Sequence, residues 1–296
     1  MSVSANTLDL GAVAAALQNA PIGHTIDYRP QLSSTMDLAR QHAVDPAILS
    51  GTVVVADEQT AGRGRGVRRW EVPPGEGLLL SLLLKAPIAM SLPEIPMLAG
   101  LAAIDALVAY RPTLHGQVGL KWPNDLLLGS GMHDARKVGG ILVESSFYGA
   151  ALEYVIIGMG VNLLQQPTAL PLAQPGAPAP TSLAHFLAVT AHNANASLSL
   201  PPLNRTALLI ALCQAWGDLL DPLPAPAQIL ARWRAALWTL GQEVAIQPKQ
   251  NEDVTQAVTV VGRAIDVSAA GELIIQDAAG KLHSFGAGDV SVRMAE

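Results

Sequence analysis

Between Gly77 and Lys85 the chain reads GLLLSLLLK, a run of leucines interrupted by one serine. An unbroken apolar run of this length, without alternation, predicts a strand buried on both faces. GTVVVADEQ at 51–59 begins β-branched and ends polar. It predicts a second buried strand, one that delivers a functional loop at its end. PEIPMLAGLAAIDALVAY at 93–110 is too long for a strand, and the proline near its start suits a core helix. Ser33, Ser34 and Thr35 precede the apolar spacing of MDLARQHAV and predict a capped helix over 33–44. Helical spacing also covers 8–20, 203–220 and 226–240. Short strands with loops between them are predicted within VGLKWPNDLLL (118–128), KVGGILVESSF (137–147) and YVIIGMGVNLL (154–164). Strand and helix do not alternate regularly. The order predicts an α+β fold, a mixed β-sheet flanked by helices, and not a doubly wound sheet.

Residues 165–180 (QQPTALPLAQPGAPAP) hold five prolines and predict a loop. Past residue 240 the pattern changes. EVAIQ, AVTVVGRAI, ELIIQD and DVSVR are short β-rich runs separated by Gly, Asp and Asn. They predict a small β-barrel or sandwich. The expected division is 1–240 for a larger unit and 241–296 for a small β domain.

Composition bounds the function. A chain of 296 residues with 50% hydrophobic and 14% charged positions is globular and buries a large core. Its longest apolar stretches stop short of the roughly 18–20 residues that cross a bilayer, so no membrane association is expected. The N-terminal stretch carries Asp9 and no early Lys or Arg, unlike a secretory signal. One cysteine, Cys213, excludes an internal disulfide and fits a reducing, cytoplasmic setting. It lies in TALLIALCQAW, which reads as a buried structural thiol. A formal charge of −6 argues against broad nucleic-acid affinity.

Against that acidic background, GRGRGVRRW at 62–70 places four arginines within seven residues. Gly62, Gly64 and Gly66 free the backbone to approach a ligand and to move. Arg63, Arg65, Arg68 and Arg69 offer planar forks that match carboxylate or phosphate. Trp70 offers a stacking face. A solvated basic loop is the plain alternative, but the position directly after a strand favours a lid over a small anion. Three further stretches carry candidate chemistry. In KWPNDLLL, Asn124 and Asp125 either shape a turn or hold a nucleotide phosphate or its Mg²⁺ through oxygen. In RKVGGILVE, Lys137 is either a solvated strand entrance or a point charge on an acyl phosphate, with Gly139 beside it. In GMGVNL, the glycines mark either a bulge or a close approach, and Asn162 could bond a ligand.

In this order the stretches SST (33–35), DEQTAGRGRGVRRW (57–70), KWPNDLLL, KVGGILVE and GMGVNL resemble the biotin protein ligases. The likeness runs from about residue 25 to the end. It implies a catalytic domain like those of class II aminoacyl-tRNA synthetases and biotin ligases, followed by a small SH3-like β-barrel. It implies a two-step reaction: biotin and ATP, with Mg²⁺, give biotinyl-5′-AMP and pyrophosphate. A lysine of a biotin carboxyl carrier domain of acetyl-CoA carboxylase, or of a related carboxylase, then takes the biotin.

By this resemblance Ser34, Thr35, Gln59, Gly62, Gly64 and Gly139 serve biotin, Arg63 and Arg65 are catalytic and hold its carboxylate and the adenylate phosphate, and Lys137 is catalytic, belongs to the biotin site and stabilises charge on the acyl phosphate during transfer. Arg65, Arg68, Trp70, Asn124, Asp125, Lys137 and Asn162 serve ATP or the adenylate, with Trp70 near the adenine. Arg69 is expected to be the most dispensable of the loop arginines. Met36 stands where many members carry Asn. About 25 residues precede the likeness, too few for the DNA-binding domain of some members. A ligase without repressor function or specific DNA binding is therefore expected, and a homodimer is allowed. The alternative reading is a lipoate–protein ligase, which uses the same acyl-adenylate chemistry.

Overall fold

The computed structural model describes residues 7–66, 68–172, 175–193, 202–248, 259–287 and 290–294. Its main sheet runs in the order β1-β2-β3-β7-β6-β5-β4. The strands are β1 (Ile26–Leu32), β2 (Val53–Gln59), β3 (Gly77–Lys85), β4 (Val118–Lys121), β5 (Asp125–Leu128), β6 (Arg136–Tyr148) and β7 (Ala151–Asn162). A two-residue β8 (Ala179–Pro180) pairs with the start of β6. β1–β2 and β6–β8 are parallel and the other pairs antiparallel, which makes the sheet mixed, as expected.

The leucine run is central. β3 lies between β2 and β7, and every residue from Gly77 to Leu84 is buried. Alternate side chains serve opposite faces of the sheet. Val53, Val55, Leu78, Leu82 and Leu84 enter the large core, whereas Val54 and Leu83 meet Met36 and Ala39 in a smaller cluster. The smaller cluster belongs to α2 (Thr35–Ala43), which crosses from β1 to β2. The large core is closed by α1 (Leu10–Leu17), α3 (Glu94–Tyr110), α5 (Arg205–Leu220) and α6 (Pro226–Ala236). A further helix, α4 (Leu183–Asn193), follows β8.

Two elements carry little sequence signal. β1 contains Arg29 and Pro30 and is at most half-buried along its length. It is an edge strand, where a proline without an N–H is tolerated. α4 is short and starts where Ser182 Oγ accepts from His185 N (3.1 Å). The stretch 118–128 is a hairpin and not one strand, with Lys121 paired to Asp125 around Trp122, Pro123 and Asn124. The proline-rich loop includes a turn of 3-10 helix at Pro167–Ala169 and ends in β8.

The C-terminal strands are β9 (Glu243–Pro248), β10 (Val260–Val267), β11 (Leu273–Gln276), β12 (Leu282–Phe285) and β13 (Val290–Met294). They form a separate antiparallel sheet in the order β12-β11-β10-β9-β13. The first two residues of the AVTVVGRAI run and Asp289 of DVSVR lie outside the described residues. This sheet docks on the back of the β4–β5 hairpin. Lys121 Nζ donates to Val292 O (2.9 Å) and Trp122 Nε1 donates to Gly271 O (2.9 Å).

Candidate active site

The site is built at the ends of β2, β6 and β7, where the four singled-out stretches converge. Ser34 caps α2 with extended backbone and makes no side-chain cap bond. Thr35 is tied to the end of β2: its N–H and Oγ1 donate to Gln59 Oε1 at 2.7 and 3.1 Å. Because a backbone N–H can only donate, the Gln59 oxygen is fixed on Thr35 and its NH₂ is left for a ligand. Ser81 Oγ donates to Thr35 Oγ1 from the centre of β3 (2.8 Å), so three elements hold this corner.

The arginine stretch is a small hairpin. Gly64 N donates to Arg68 O (2.8 Å), Trp70 N donates to Gly62 O (3.0 Å), and Arg63 bridges to Arg69. Gly62 faces the Trp70 carbonyl closely enough that a Cβ would collide with it. Trp70 anchors the hairpin. Its indole lies over Gly140 of β6 and Gly160 of β7, where a Cβ would meet the ring at 3.4 Å (Gly140) or sit inside its contact distance (Gly160). Among the described residues the buried Trp70 Nε1 has no hydrogen-bond partner.

Opposite the hairpin, Lys137 Nζ is 2.6 Å from Asp125 Oδ1 and 5.5 Å from the Trp70 ring centre. Asn124 braces the β4–β5 turn: its Nδ2 donates to Ile141 O and Ile141 N donates back to Asn124 O, both at 2.9 Å. Asn162 is buried and spent on structure. Its Nδ2 donates to Thr181 O (3.1 Å) and its Oδ1 accepts from Gln165 Nε2 (3.0 Å), which fastens both ends of the proline-rich loop.

Two cavities result. The first is lined by Ser34, Thr35, Met36, Gln59, Leu80, Leu142, Met159, the loop arginines, Asn124, Asp125 and Lys137. The second is lined by Asn162, Pro171, Leu172, Ala177, Pro178, Pro180 and Arg293. Arg68, Arg69, Trp70, Asp125 and Lys137 border both and form the wall between them. One chamber is polar at the Ser34–Gln59 corner and apolar along Leu80, Leu142 and Met159. The other is basic at its inner end, with proline and leucine at its rim.

Among the expected site residues, Ser34, Thr35, Gln59, Arg63, Gly64, Arg65, Arg68, Trp70, Asn124, Asp125 and Lys137 line the first cavity, and Asn162 lines the second. Gly62 and Gly139 do not reach either wall. A Cβ on Gly139 would meet Gly160 O (2.8 Å), so that glycine lets strands approach, and Gly140 faces the cavity instead.

Sequence reasoning passed over Lys121 and Arg293. Burial pulls the Lys121 ammonium down to about 8, with Asp125 opposing the shift and Arg293, Lys137 and Arg68 adding to it. Burial, and then Arg68, lowers Arg293 from its ordinary value. The signal for Lys121 was its place in KWPND. Arg293 had none, because it arrives from a strand far along the chain.

Comparison with known proteins comes to the same region. Residues 28–162 match the biotin/lipoate A/B protein ligase family, and residues 239–293 match the biotin protein ligase C terminal domain. The bifunctional ligase/repressor BirA of Bacillus subtilis is 38% identical over 155 residues, 52% of this chain and 45% of that protein. The chain thus spans about half the length of its Bacillus relatives. The biotin–[acetyl-CoA-carboxylase] ligase of Mycobacterium tuberculosis is 29% identical over 268 residues, 90% of this chain and 88% of that one. In fold, the chain resembles the biotin protein ligase from Aquifex aeolicus in complex with biotin and ATP. The TM-score is 0.66 at 22% identity, over 92% of this chain and 99% of that one.

Proposed function

We propose that this chain, whose residues 28–162 match the biotin/lipoate A/B protein ligase family and whose residues 239–293 match the biotin protein ligase C terminal domain, is an ATP-dependent biotin protein ligase. In this reading it makes biotinyl-5′-AMP and passes the biotin to a lysine of a carrier domain. The observation that carries the reading is the pair of cavities sharing one cationic wall. Acyl-adenylate chemistry needs a carboxylate and an α-phosphate brought together, each in its own pocket, where the pockets meet.

In the first step a biotin carboxylate oxygen attacks the α-phosphorus, the bond to the bridging oxygen breaks, and pyrophosphate leaves. We assign biotin to the first chamber, with Ser34, Thr35 and the Gln59 amide toward its polar ring end. Arg65, Arg68 and Lys137 stand where negative charge accumulates, and preorganised cations there lower the barrier. The second chamber takes the nucleotide, with Arg293 on its phosphate side. In the second step the neutral amine of the acceptor lysine attacks the acyl carbon, loses its proton, and AMP leaves. The hairpin anchored by Trp70 shields the mixed anhydride from water until then.

Among the described residues no group of three or more acidic, His or Cys side chains could hold a metal. Mg²⁺ is held in general by one or two carboxylates together with substrate phosphates. Asp125, the carboxylate that borders both cavities, fits as that single carboxylate. The ion would neutralise phosphate charge.

Lipoate ligation is the weaker reading, because the C-terminal match is to a biotin protein ligase domain. We take residues 1–240 as the catalytic unit and 241–296 as the small β domain. With Cys213 the one cysteine of the sequence, we place the protein in a reducing cytoplasm. No described helix is long and apolar enough to cross a membrane.

The test is mass spectrometry of a biotin carboxyl carrier domain incubated with the protein, ATP, Mg²⁺ and either biotin or lipoate. One added biotinyl group is expected. Lipoylation without biotinylation would overturn the assignment.

A further inference from the structure

Arg63 leaves the arginine hairpin in a different direction from the anion-facing groups. Its Nη2 lies 2.9 Å from Asp37 Oδ1 on α2, and its Nη1 lies 3.4 Å from Glu144 Oε1 on β6. Arg40, one turn along α2, joins the same two carboxylates, at 2.9 Å to Asp37 and 2.5 Å to Glu144. Hydrogen bonds to Asp37 and then Glu144 raise Arg40 above its ordinary value. Two guanidiniums and two carboxylates thus close a ring whose charges cancel. The ring ties together three parts of the site. These are α2, which begins at Thr35, β6, which carries Lys137 and Gly140, and the hairpin itself.

A guanidinium balanced in this way brings little net charge to the cavity, although Arg63 lines it. We propose that Arg63 is a positioning residue and not a binder of the reacting anion. It clasps the arginine hairpin onto α2 and β6 through Asp37 and Glu144, with Arg40 as the bridge that holds the two carboxylates in register. The clasp itself is independent of the ligand. Only the statement that the clasped hairpin retains an acyl-adenylate rests on the biotin ligase reading. Arg63 then acts beside Trp70: the indole seats the C-terminal arm of the hairpin, and the ion pairs fix the N-terminal arm.

Two measurements test the clasp. The first is amide hydrogen exchange of residues 62–69 in the ligand-free full-length protein. It compares wild type, Arg63→Met, the double variant Asp37→Asn with Glu144→Gln, and the triple combination. The ion pairs are about a third exposed, so each is modest. Exchange should rise about two- to thirtyfold in Arg63→Met and by a similar factor in the double variant. The triple combination should add nothing further. Wild-type exchange should also quicken in 0.5 M salt, while Arg63→Met stays indifferent to it. The second measurement is release of preformed biotinyl-AMP, which should quicken by the same factor in Arg63→Met and in the double variant. If Arg63→Met speeds release but the carboxylate variant releases at the wild-type rate, Arg63 touches the ligand and the proposal fails. Unchanged exchange in both variants overturns it equally. If wild type forms no adenylate from biotin, the ligase reading falls, and the exchange data still decide the clasp.

Discussion

Alanine at Gly160 should open the arginine hairpin without loosening the core. A Cβ there would sit 2.5 Å from Trp70 Cε2 and 2.9 Å from Cδ1. Carbon atoms pack best at about 3.5–4.0 Å, so either the ring or the strand must withdraw by roughly 1 Å. The strand is the worse candidate. Gly160 is paired with Leu79 of β3 on one side and with Gly140 of β6 on the other, in the middle of the sheet. The indole must therefore yield. Forcing extra volume into a packed contact costs about 1–3 kcal/mol. That cost falls on the hairpin's seat. At about 1.4 kcal/mol per factor of ten, the hairpin should open roughly 5- to 150-fold more often.

The assay is dissociation of preformed biotinyl-AMP, followed by rapid mixing with excess unlabelled ligand. The release rate should rise by about that factor, while the melting temperature changes little because the hairpin is not core. Gly286→Ala is the control. A Cβ there meets no heavy atom within 4 Å, so release should match wild type. A Gly160→Ala enzyme that releases adenylate within twofold of wild type would refute the reasoning. The Trp70 seat would then not be what retains the ligand.

Three further outcomes follow from the same geometry. Lys137→Met, which removes the ammonium paired with Asp125 at 2.6 Å, should slow adenylate formation about 10²- to 10³-fold in single-turnover assays. A near-normal rate would leave Lys137 with a structural role only. Arg205 is 1% exposed, with Nη1 2.5 Å from Asp57 Oδ1 and Nε donating to Gly77 O. Arg205→Met removes the charge that balances Asp57, which keeps the Tyr28 hydroxyl as a donor, and should cost about 3 kcal/mol, read as a fall of roughly 5 °C in calorimetry. Lys121 has its folded pKa pulled from 10.5 to about 8. Below pH 8 both folded and unfolded chains are charged there and the folded chain bears the burial cost. Between pH 8 and 10.5 the folded chain gives up the proton first, so stability relative to Lys121→Met should rise with pH, by about 3 kcal/mol in all. Urea melts of both proteins at pH 7.5 and 10.5 measure it, and a constant difference would contradict the burial.

Elements that bury an unmixed face were legible in the sequence, and elements defined by their neighbours were not. β3 and α3 announce themselves because nearly every position is apolar. β1 could not, since a half-exposed edge strand with Arg29 and Pro30 looks like a loop until β2 is beside it. The same holds for the site. Short motifs carried the hairpin, the Lys137 strand and the β4–β5 turn, because in each the chemistry and the turn-forming residues are adjacent in the chain. Arg293 lies 156 positions beyond Lys137 in the chain and joins it only when the C-terminal sheet docks.

That docking explains why Lys121 is buried at all. Its Nζ donates to the Val292 carbonyl, one residue before Arg293, and the neighbouring Trp122 Nε1 donates to Gly271 of the same sheet. The β4–β5 hairpin therefore has two faces with separate tasks. Asn124 and Asp125 turn toward the cavities, while Lys121 and Trp122 fix the sheet that supplies Arg293. A lysine buried beside Lys137, Arg68 and Arg293 is electrostatically costly, and Asp125 is the group that offsets it. Asp125 is also the partner of Lys137, so one carboxylate sets the charge balance on both sides of the hairpin. Replacing it by Asn should disturb nucleotide-side chemistry and the seating of the C-terminal sheet together. Two effects from one side chain would be hard to reconcile with a hairpin that served only as a turn.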